Sequence, residues 1–366
     1  MVSTYQKAPL FLFDPIEGLR DPIMRANHYP QLRIMGNKHR LLPWLYEIFS
    51  SLKFDSVLDG FSGSGSVSYL FKQMGKTVIT NDFLQYPYHL ANGLIANPGI
   101  KISDDDLVFL IHKNENADRF IETTFNGIFF TEQDLQFLDN IWANLRYIEN
   151  NYKKSLILSA LFRSVLKKQP RGVFTIGNES AEKYNDGRRD LQINLETHFS
   201  ESVSLVNSIL FDNGRINKAN QESIFDLKLD HFVDLVYFDP PYVPRSDDND
   251  YIKRYHFLEG LACYWENLEI METSKVRKIK KQFTPFSYRR TAREAFDRLF
   301  RKYADSIIVL SYSSNGYPDK EELIGIMKQY KRSITVEENS HRYHFGTHKG
   351  VRPNRAVVKE YVIIGA

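Results

Sequence analysis

Ser56-Val57-Leu58-Asp59-Gly60-Phe61-Ser62-Gly63-Ser64-Gly65 reads as a short apolar strand that runs straight into a glycine-rich turn. The residues after it, Ser66 to Met74, have helical patterning and stop at Gly75. Thr77-Val78-Ile79-Thr80 then gives a second strand. A strand, Gly-rich turn, helix and strand in that order open a parallel α/β sheet. Upstream, Leu41, Leu42, Leu45, Ile48, Phe49 and Leu52 recur at helical spacing and predict a helix leading into the first strand.

Further along, the pattern changes. From about Gln85 to Asn217 strand signals are weak, amphipathic stretches run from Asp134 to Ile148 and from Ser155 to Leu166, and Asn178 to Asp190 is polar. A mainly helical insertion is expected there. Strand patterning returns at Val233–Phe238, Ser306–Leu310, Ser333–Glu337 and Ala356–Ile364, with a helix over Lys320–Tyr330. The sheet is therefore split in sequence. The expected division is an extension over 1–30, a catalytic α/β unit over 31–95 and 215–366, and the insertion over 96–214.

The chain of 366 residues is 42% hydrophobic, enough for a large core. Its 26 Phe and 21 Tyr suit such a core, and its formal charge of +3 does not by itself point to nucleic acid. Cys263 is the sole cysteine, so an internal disulfide is excluded and a reducing, cytoplasmic setting is expected. No apolar run reaches membrane-span length, so no membrane partner is expected.

Asp239-Pro240-Pro241-Tyr242 follows an apolar strand directly. An aromatic exocyclic amine is a poor nucleophile because its lone pair is delocalised into the ring. It becomes competent when acceptors draw on its two hydrogens. Asp239 and the carbonyl of Pro240 can supply them on a turn that proline stiffens, and Tyr242 can stack on the ring. A plain strand-to-turn exit would also use Asp-Pro; the position after a strand of an α/β sheet favours the catalytic reading. Cys263 lies in an apolar stretch and reads as core, which weighs against a thiolate attacking a cytosine ring.

In Asp59-Gly60-Phe61-Ser62-Gly63-Ser64-Gly65 the glycines let backbone approach a ligand closely. Ser68 stands where a dinucleotide fingerprint would carry its third glycine, which disfavours a pyrophosphate and a nicotinamide dehydrogenase. Asp82, just past the second strand, is placed to accept from ribose hydroxyls. S-adenosyl-L-methionine offers such a ribose with no phosphate. Asp59, Phe61, Gly63, Gly65, Asp82 and Asp239 are the candidate cofactor residues. Glu222 is a weaker candidate for the cofactor's adenine.

Together these residues resemble the adenine-specific DNA methyltransferases of the Dam-like class, in which Phe-x-Gly-x-Gly follows the first strand and Asp-Pro-Pro-Tyr the fourth. Gly36-Asn37-Lys38 resembles that family's Gly-x-Lys before the first strand, although Ile34 replaces a common aromatic. Tyr255-His256-Phe257 and Leu310-Ser311-Tyr312-Ser313 add to the likeness, which covers roughly 31–95 and 215–366. The resemblance implies a Rossmann-like S-adenosylmethionine-dependent fold and a mainly helical target-recognition insertion. It also implies a cofactor contact at Lys38, double-stranded DNA as substrate and transfer to the N6 amine of a flipped-out adenine, and it leaves open whether a cognate restriction endonuclease is a functional partner.

Basic residues give a separate indication of DNA contact. Between Lys275 and Lys302 eleven Lys and Arg face only Glu294 and Asp297, with Phe283, Phe286 and Tyr288 interleaved. Lys278, Lys280, Lys281, Arg289 and Arg290 are candidates there, as are Lys167, Lys168 and Arg171 in the insertion. A solvated helix face would give the same charge run. His341, His344 and His348 have ligand-like spacing, but no carboxylate stands among them and Gly346 interrupts the run, so no metal is expected. Transfer to a cytosine amine or to RNA adenine, and a DNA-binding module without catalysis, remain the alternatives.

Overall fold

The computed structural model describes residues 21–175, 177, 187–244, 251–341 and 358–366. His344, His348, the His341 side chain, most of the 178–190 loop and the first twenty residues of the expected extension lie outside the described residues. Seven strands form one sheet: β1 (Ser56–Asp59), β2 (Thr77–Asp82), β3 (Lys218–Gln221), β4 (Leu235–Phe238), β6 (Ile307–Ser313), β8 (Ile334–His341) and β9 (Val358–Gly365). Their spatial order is β3-β2-β1-β4-β6-β9-β8, with a separate two-stranded ribbon of β5 (Val243–Pro244) and β7 (Gly316–Tyr317). β3 through β6 pair in parallel, and β9 is antiparallel to both of its neighbours. The fold is mixed α/β with a mostly parallel sheet.

The order of strands decides where a ligand can sit. From β1 the chain winds outward to β2 and β3, then crosses back to β4 on the other side of β1. Neighbouring strands whose connections leave in opposite directions open a crevice at their C-terminal ends. That crevice lies between β1 and β4.

Both sheet faces are covered, as parallel strands require. Val57, Val78, Leu235, Tyr237, Val309, Val362 and Ile364 belong to one core. Leu58, Val236, Phe238, Ile308, Leu310 and Ile363 belong to the other, with Phe296, Leu299 and Phe300 of α12 (Arg289–Lys302) and Leu323 and Met327 of α13 (Lys320–Met327). Strand alternation alone accounts for this partition.

Between β2 and β3 the described chain forms helices α4 (Gln85–Ala91), α5 (Asp104–Ile111), α6 (Phe120–Phe125), α7 (Glu132–Leu145), α8 (Asn151–Lys168), α9 (Arg189–Gln192) and α10 (Leu195–Ser208). Their apolar side chains, such as Leu90, Phe125, Leu138, Leu156 and Phe199, share the first core rather than forming a separate one. Ahead of the sheet stand α1 (Pro22–Ala26), a 3₁₀ turn over Lys38–Leu41 and α2 (Leu42–Ser50); α3 (Ser66–Gln73) follows β1. After β5 comes α11 (Tyr251–Cys263).

Candidate active site

Asp82, Asp59 and Asp239 sit at or just past the C-terminal ends of β2, β1 and β4, three adjacent strands. Asp59 is in register with Thr80 on one side and Tyr237 on the other, so these three project from the same face. The Gly-rich turn lies across that edge. Gly65 has φ of 76° and its missing Cβ would stand 2.6 Å from the Tyr29 hydroxyl, so a side chain is excluded there twice over. That hydroxyl donates to the Ser64 carbonyl at 2.7 Å and fastens the chain before the 3₁₀ turn onto the glycine-rich segment.

Lys38 enters from the 3₁₀ turn. The Asn37 side chain caps that turn by accepting from the His39 N–H at 3.0 Å and donates to the Leu32 carbonyl at 2.9 Å. The Tyr255 hydroxyl accepts from the Met35 N–H at 2.7 Å, and Nε2 of His256 bonds the Phe174 carbonyl at 2.8 Å. Within the Tyr-His-Phe motif, Tyr255 thus braces the segment that delivers Lys38, and His256 ties the motif to Phe174. Lys38 Nζ lies 2.9 Å from Asp239 Oδ1, both side chains largely buried. Burial alone would lower the Lys38 ammonium, but the Asp239 and Glu360 charges outweigh it and hold the pKa well above the usual lysine value. Burial raises Asp239, with Lys38 opposing the shift.

The other two acids are held differently. Asp82 Oδ2 accepts from the Gly63 N–H at 3.0 Å and Oδ1 from the Leu84 N–H at 3.1 Å. Burial nevertheless pushes its pKa up to about 6. Asp59 Oδ2 accepts from the Ser68 hydroxyl at 2.5 Å, while Oδ1 is buried with no partner, and burial pushes this acid up to about 7. Ser68, which breaks the dinucleotide pattern, is what orients Asp59.

One cavity collects these groups: Lys38, Asp59, Phe61, Gly63, Asp82 and Asp239 all line it. Pro241 does too; Pro240 is buried beside it, and the Tyr242 ring packs 5.4 Å from that of Tyr312. Gly65 stands just behind the wall, between Ser64 and Ser66, which line it. Sequence reasoning missed Phe83, Tyr86, Pro87 and Ile252, whose apolar surfaces complete the walls. The signal for the first three was a run of bulky residues immediately after Asp82; Ile252, far along the chain, gave none. Glu222 is exposed and stands apart from the cavity. Burial pushes the Cys263 thiol up to about 11, away from thiolate chemistry.

The donor set fits an S-adenosylmethionine-like ligand. Three carboxylates oppose the Lys38 ammonium on the walls, and the buried Asp59 Oδ1 and Ser62 Oγ lack partners. Orphaned buried acceptors are costly unless a ligand donor meets them. An ammonium and ribose hydroxyls are such donors, and a sulfonium suits the negative wall.

The basic candidates scatter. Lys168 is committed to buried Asp134 at 2.9 Å and to the Ile193 carbonyl at 2.8 Å. Lys167 pairs with Asp190 at 3.2 Å and Glu201 at 3.8 Å. Arg171 is exposed and lines a second cavity with Lys167, Tyr255, Lys38 and Glu360. Lys280 pairs with Glu269 at 2.9 Å, and Lys278 is half-buried. Lys281 lines the first cavity with its ammonium 4.9 Å from the Tyr288 ring, against which the exposed Phe283 stacks. Arg289 lies over Tyr317, and Arg290 is exposed.

A family model described as D12 class N6 adenine-specific DNA methyltransferase matches residues 35–312, a span that runs from the Gly-x-Lys segment to the end of β6. The chain is 32% identical over 335 residues to Type II methyltransferase M2.HphI of Haemophilus parahaemolyticus, covering 87% of this chain and 94% of that protein. It is 24% identical to Modification methylase LlaI of Lactococcus lactis subsp. lactis, over 91% of this chain and 54% of that one. It is 27% identical to Type II methyltransferase M.FokI of Planomicrobium okeanokoites, over 82% of this chain and 47% of that one. The matched region spans about half the length of the latter two relatives.

Proposed function

The chain belongs to the D12 class N6 adenine-specific DNA methyltransferase family, and from that premise we propose a site-specific reaction. The methyl group of S-adenosyl-L-methionine passes to the N6 amine of an adenine flipped out of duplex DNA. The observation that carries this reading is the Lys38–Asp239 pair at the β4 end, in one cavity with Asp59 and Asp82.

Each residue then has a task. Asp82 accepts from the ribose hydroxyls and Asp59 Oδ1 from the ammonium of the cofactor, while Phe61, Gly63 and Gly65 shape the turn around it. S-adenosyl-L-methionine, when bound, supplies an electrophilic methyl on a sulfonium. Lys38 ties down Asp239 Oδ1 and leaves Oδ2 to accept from the target amine. Asp239 and the Pro240 carbonyl together draw that nitrogen towards tetrahedral geometry, and Tyr242 stacks on the base. As the amine becomes cationic, Asp239 stabilises the developing charge without reorganising. Its role is to position and stabilise, since the N–H turns acidic only as the methyl arrives.

The stretch 96–214 is proposed to read the target sequence. Lys167, Arg171, Lys278, Lys280, Lys281, Arg289 and Arg290 are proposed to meet phosphates; Lys168 is the weakest of the set because Asp134 already holds it. A cognate endonuclease is proposed as functional partner, in keeping with relatives named Type II methyltransferase. Asp239→Ala tests the core of the reading. It should lower single-turnover methylation by at least about 100-fold, with far smaller changes in affinity for cofactor or DNA. A folded D239A protein that methylates adenine at near-native rate would overturn it.

A further inference from the structure

The Lys38 side chain stands in the wall between the two cavities, lining both. Its ammonium has three donors, and among the described residues its ion pair is with Asp239. Across the second cavity, Glu360 on β9 is 4% exposed, and its Oε2 is buried with no partner. Register fixes where this carboxyl points. Glu360 faces Ser313 of β6 and Asn339 of β8, and Val309, four residues before Ser313 and so on the same face, is opposite Tyr237 of β4. Glu360 therefore projects from the same face, and at the same end of the sheet, as Tyr237 and Asp59.

A buried carboxylate with no cation nearby protonates instead of staying charged. Burial raises Glu360, Lys38 opposes that shift, and Asp239 adds to it. The groups around it are few. Lys38 and His39 come from the 3₁₀ turn and line the same cavity, Asp239 stands just past β4, and Ser313 of β6 is opposite Glu360 in register. Arg33, Arg40, Arg163, Lys167 and Arg171 also line the second cavity. The ammonium of Lys38 pairs with Asp239 and acts on Glu360 through charge at longer range.

We infer that Glu360 is a positioning residue for methyl transfer: from across the second cavity its carboxylate attracts the Lys38 ammonium at longer range than the Asp239 pair, and the balance of the two keeps Lys38 aimed at Asp239. The inference rests on the reading of Asp239 given above. Without Glu360, Lys38 loses the longer-range attraction that opposes Asp239, its ammonium settles at a different angle, and Asp239 Oδ1 no longer presents Oδ2 in a fixed direction. Glu360 touches neither reactant and acts through Lys38.

The test is a double-mutant cycle in the full-length protein, read by single-turnover methylation of duplex DNA. Glu360→Gln should lower the rate at least tenfold at neutral pH, with cofactor affinity changed less than about threefold. Its acid limb should shift to lower pH, because removing a neighbouring anion eases ionisation of Asp239. In a Lys38→Met background the same substitution should cost less than about twofold, since the effect passes through Lys38. Glu360→Asp should restore part of the rate. A folded E360Q with native rate and an unshifted acid limb overturns the inference, as does a loss that is equal in both backgrounds. If E360Q does not fold, E360D takes its place in the cycle: a loss confined to the Lys38 background supports the inference, and an equal loss in both overturns it. A dead D239A beside a native-like E360Q rejects Glu360 alone, whereas an active D239A rejects the catalytic reading itself.

Discussion

Asp59 and Asp82 are both buried acids with raised pKa values, yet they differ in what each still lacks. Asp82 has a backbone donor on each oxygen, so it is already shaped and presents its remaining lone pairs to a ligand. Asp59 has one satisfied and one orphaned oxygen, so it waits for a donor. A ligand ammonium binds the ionised forms, which means that binding releases protons where these acids are still partly protonated. With values of about 6 and about 7, the release is expected between roughly pH 5 and 7.5 and should vanish above pH 8. Cofactor affinity should therefore rise from pH 5.5 to pH 8. Calorimetry at pH 6 in two buffers of different ionisation enthalpy measures the proton count directly. Asp82→Asn should reduce that count and weaken binding by roughly 1.5–3 kcal/mol, the worth of one hydrogen bond to a charged group. An unchanged count in folded D82N would remove Asp82 from the cofactor site.

Elements were legible where the apolar pattern was strong. β1, β2, β4, β6 and β9 are buried strands, and their Val/Ile/Leu runs gave them away. β3 was missed because Lys218-Ala219-Asn220-Gln221 has no apolar face. It is an edge strand tied on by polar side chains: Asn217 Oδ1 accepts from the Val78 N–H at 2.9 Å, and Asn220 donates to the Thr80 carbonyl at 3.1 Å. Of the site, Asp239, Asp82, Lys38 and the glycine turn were readable as local motifs. Glu360 was not, because it looks like one polar residue in an ordinary strand, and Lys38, with which it shares a cavity, is over three hundred residues earlier. Lys168 is the reverse case, since its buried partner Asp134 is visible only in three dimensions. The basic segment around α12 is the element with most left to test. Its apolar face is buried through Ala292, Ala295, Phe296 and Leu299, leaving Arg290 and Arg293 exposed. Neutralising Lys278, Lys280 and Lys281 together should weaken binding to all DNA sequences alike and flatten the log–log salt dependence by about 0.9 per lost phosphate contact. Lys280 is held by exposed Glu269, a pair of small worth that DNA can displace. A triple variant that keeps its salt slope but loses site preference would mean that the segment reads bases.

At the scale of the whole molecule, one edge of the sheet carries charge that folding alone would not choose. Both faces are apolar and well filled, yet Asp59, Asp82, Asp239 and Glu360 gather around Lys38 on one face at one end. A site prepared for a cationic ligand should therefore lower the stability of the cofactor-free protein. The sign follows from Asp59. Its folded pKa of about 7 lies above the ordinary carboxylate value of 3.8, so between those values the folded state binds more protons than the unfolded state. Stability contributed by this group is highest below about pH 4, falls as pH rises, and levels off above 7, at on the order of 1.4 kcal/mol per pH unit crossed. Asp59→Asn keeps an acceptor for Ser68 and removes the charge. The cofactor-free variant should melt at higher temperature than the native protein at pH 8, and the gain should shrink steadily towards pH 4. Adding S-adenosyl-L-methionine at pH 8 should reverse the ranking, because the ligand stabilises only the protein that binds it well. Thermal melts at pH 5 and pH 8, with and without cofactor, give all four comparisons. If D59N is less stable than the native protein by the same amount at both pH values without cofactor, Asp59 is an ordinary buried structural group. The negative edge of the sheet would then owe nothing to the cofactor.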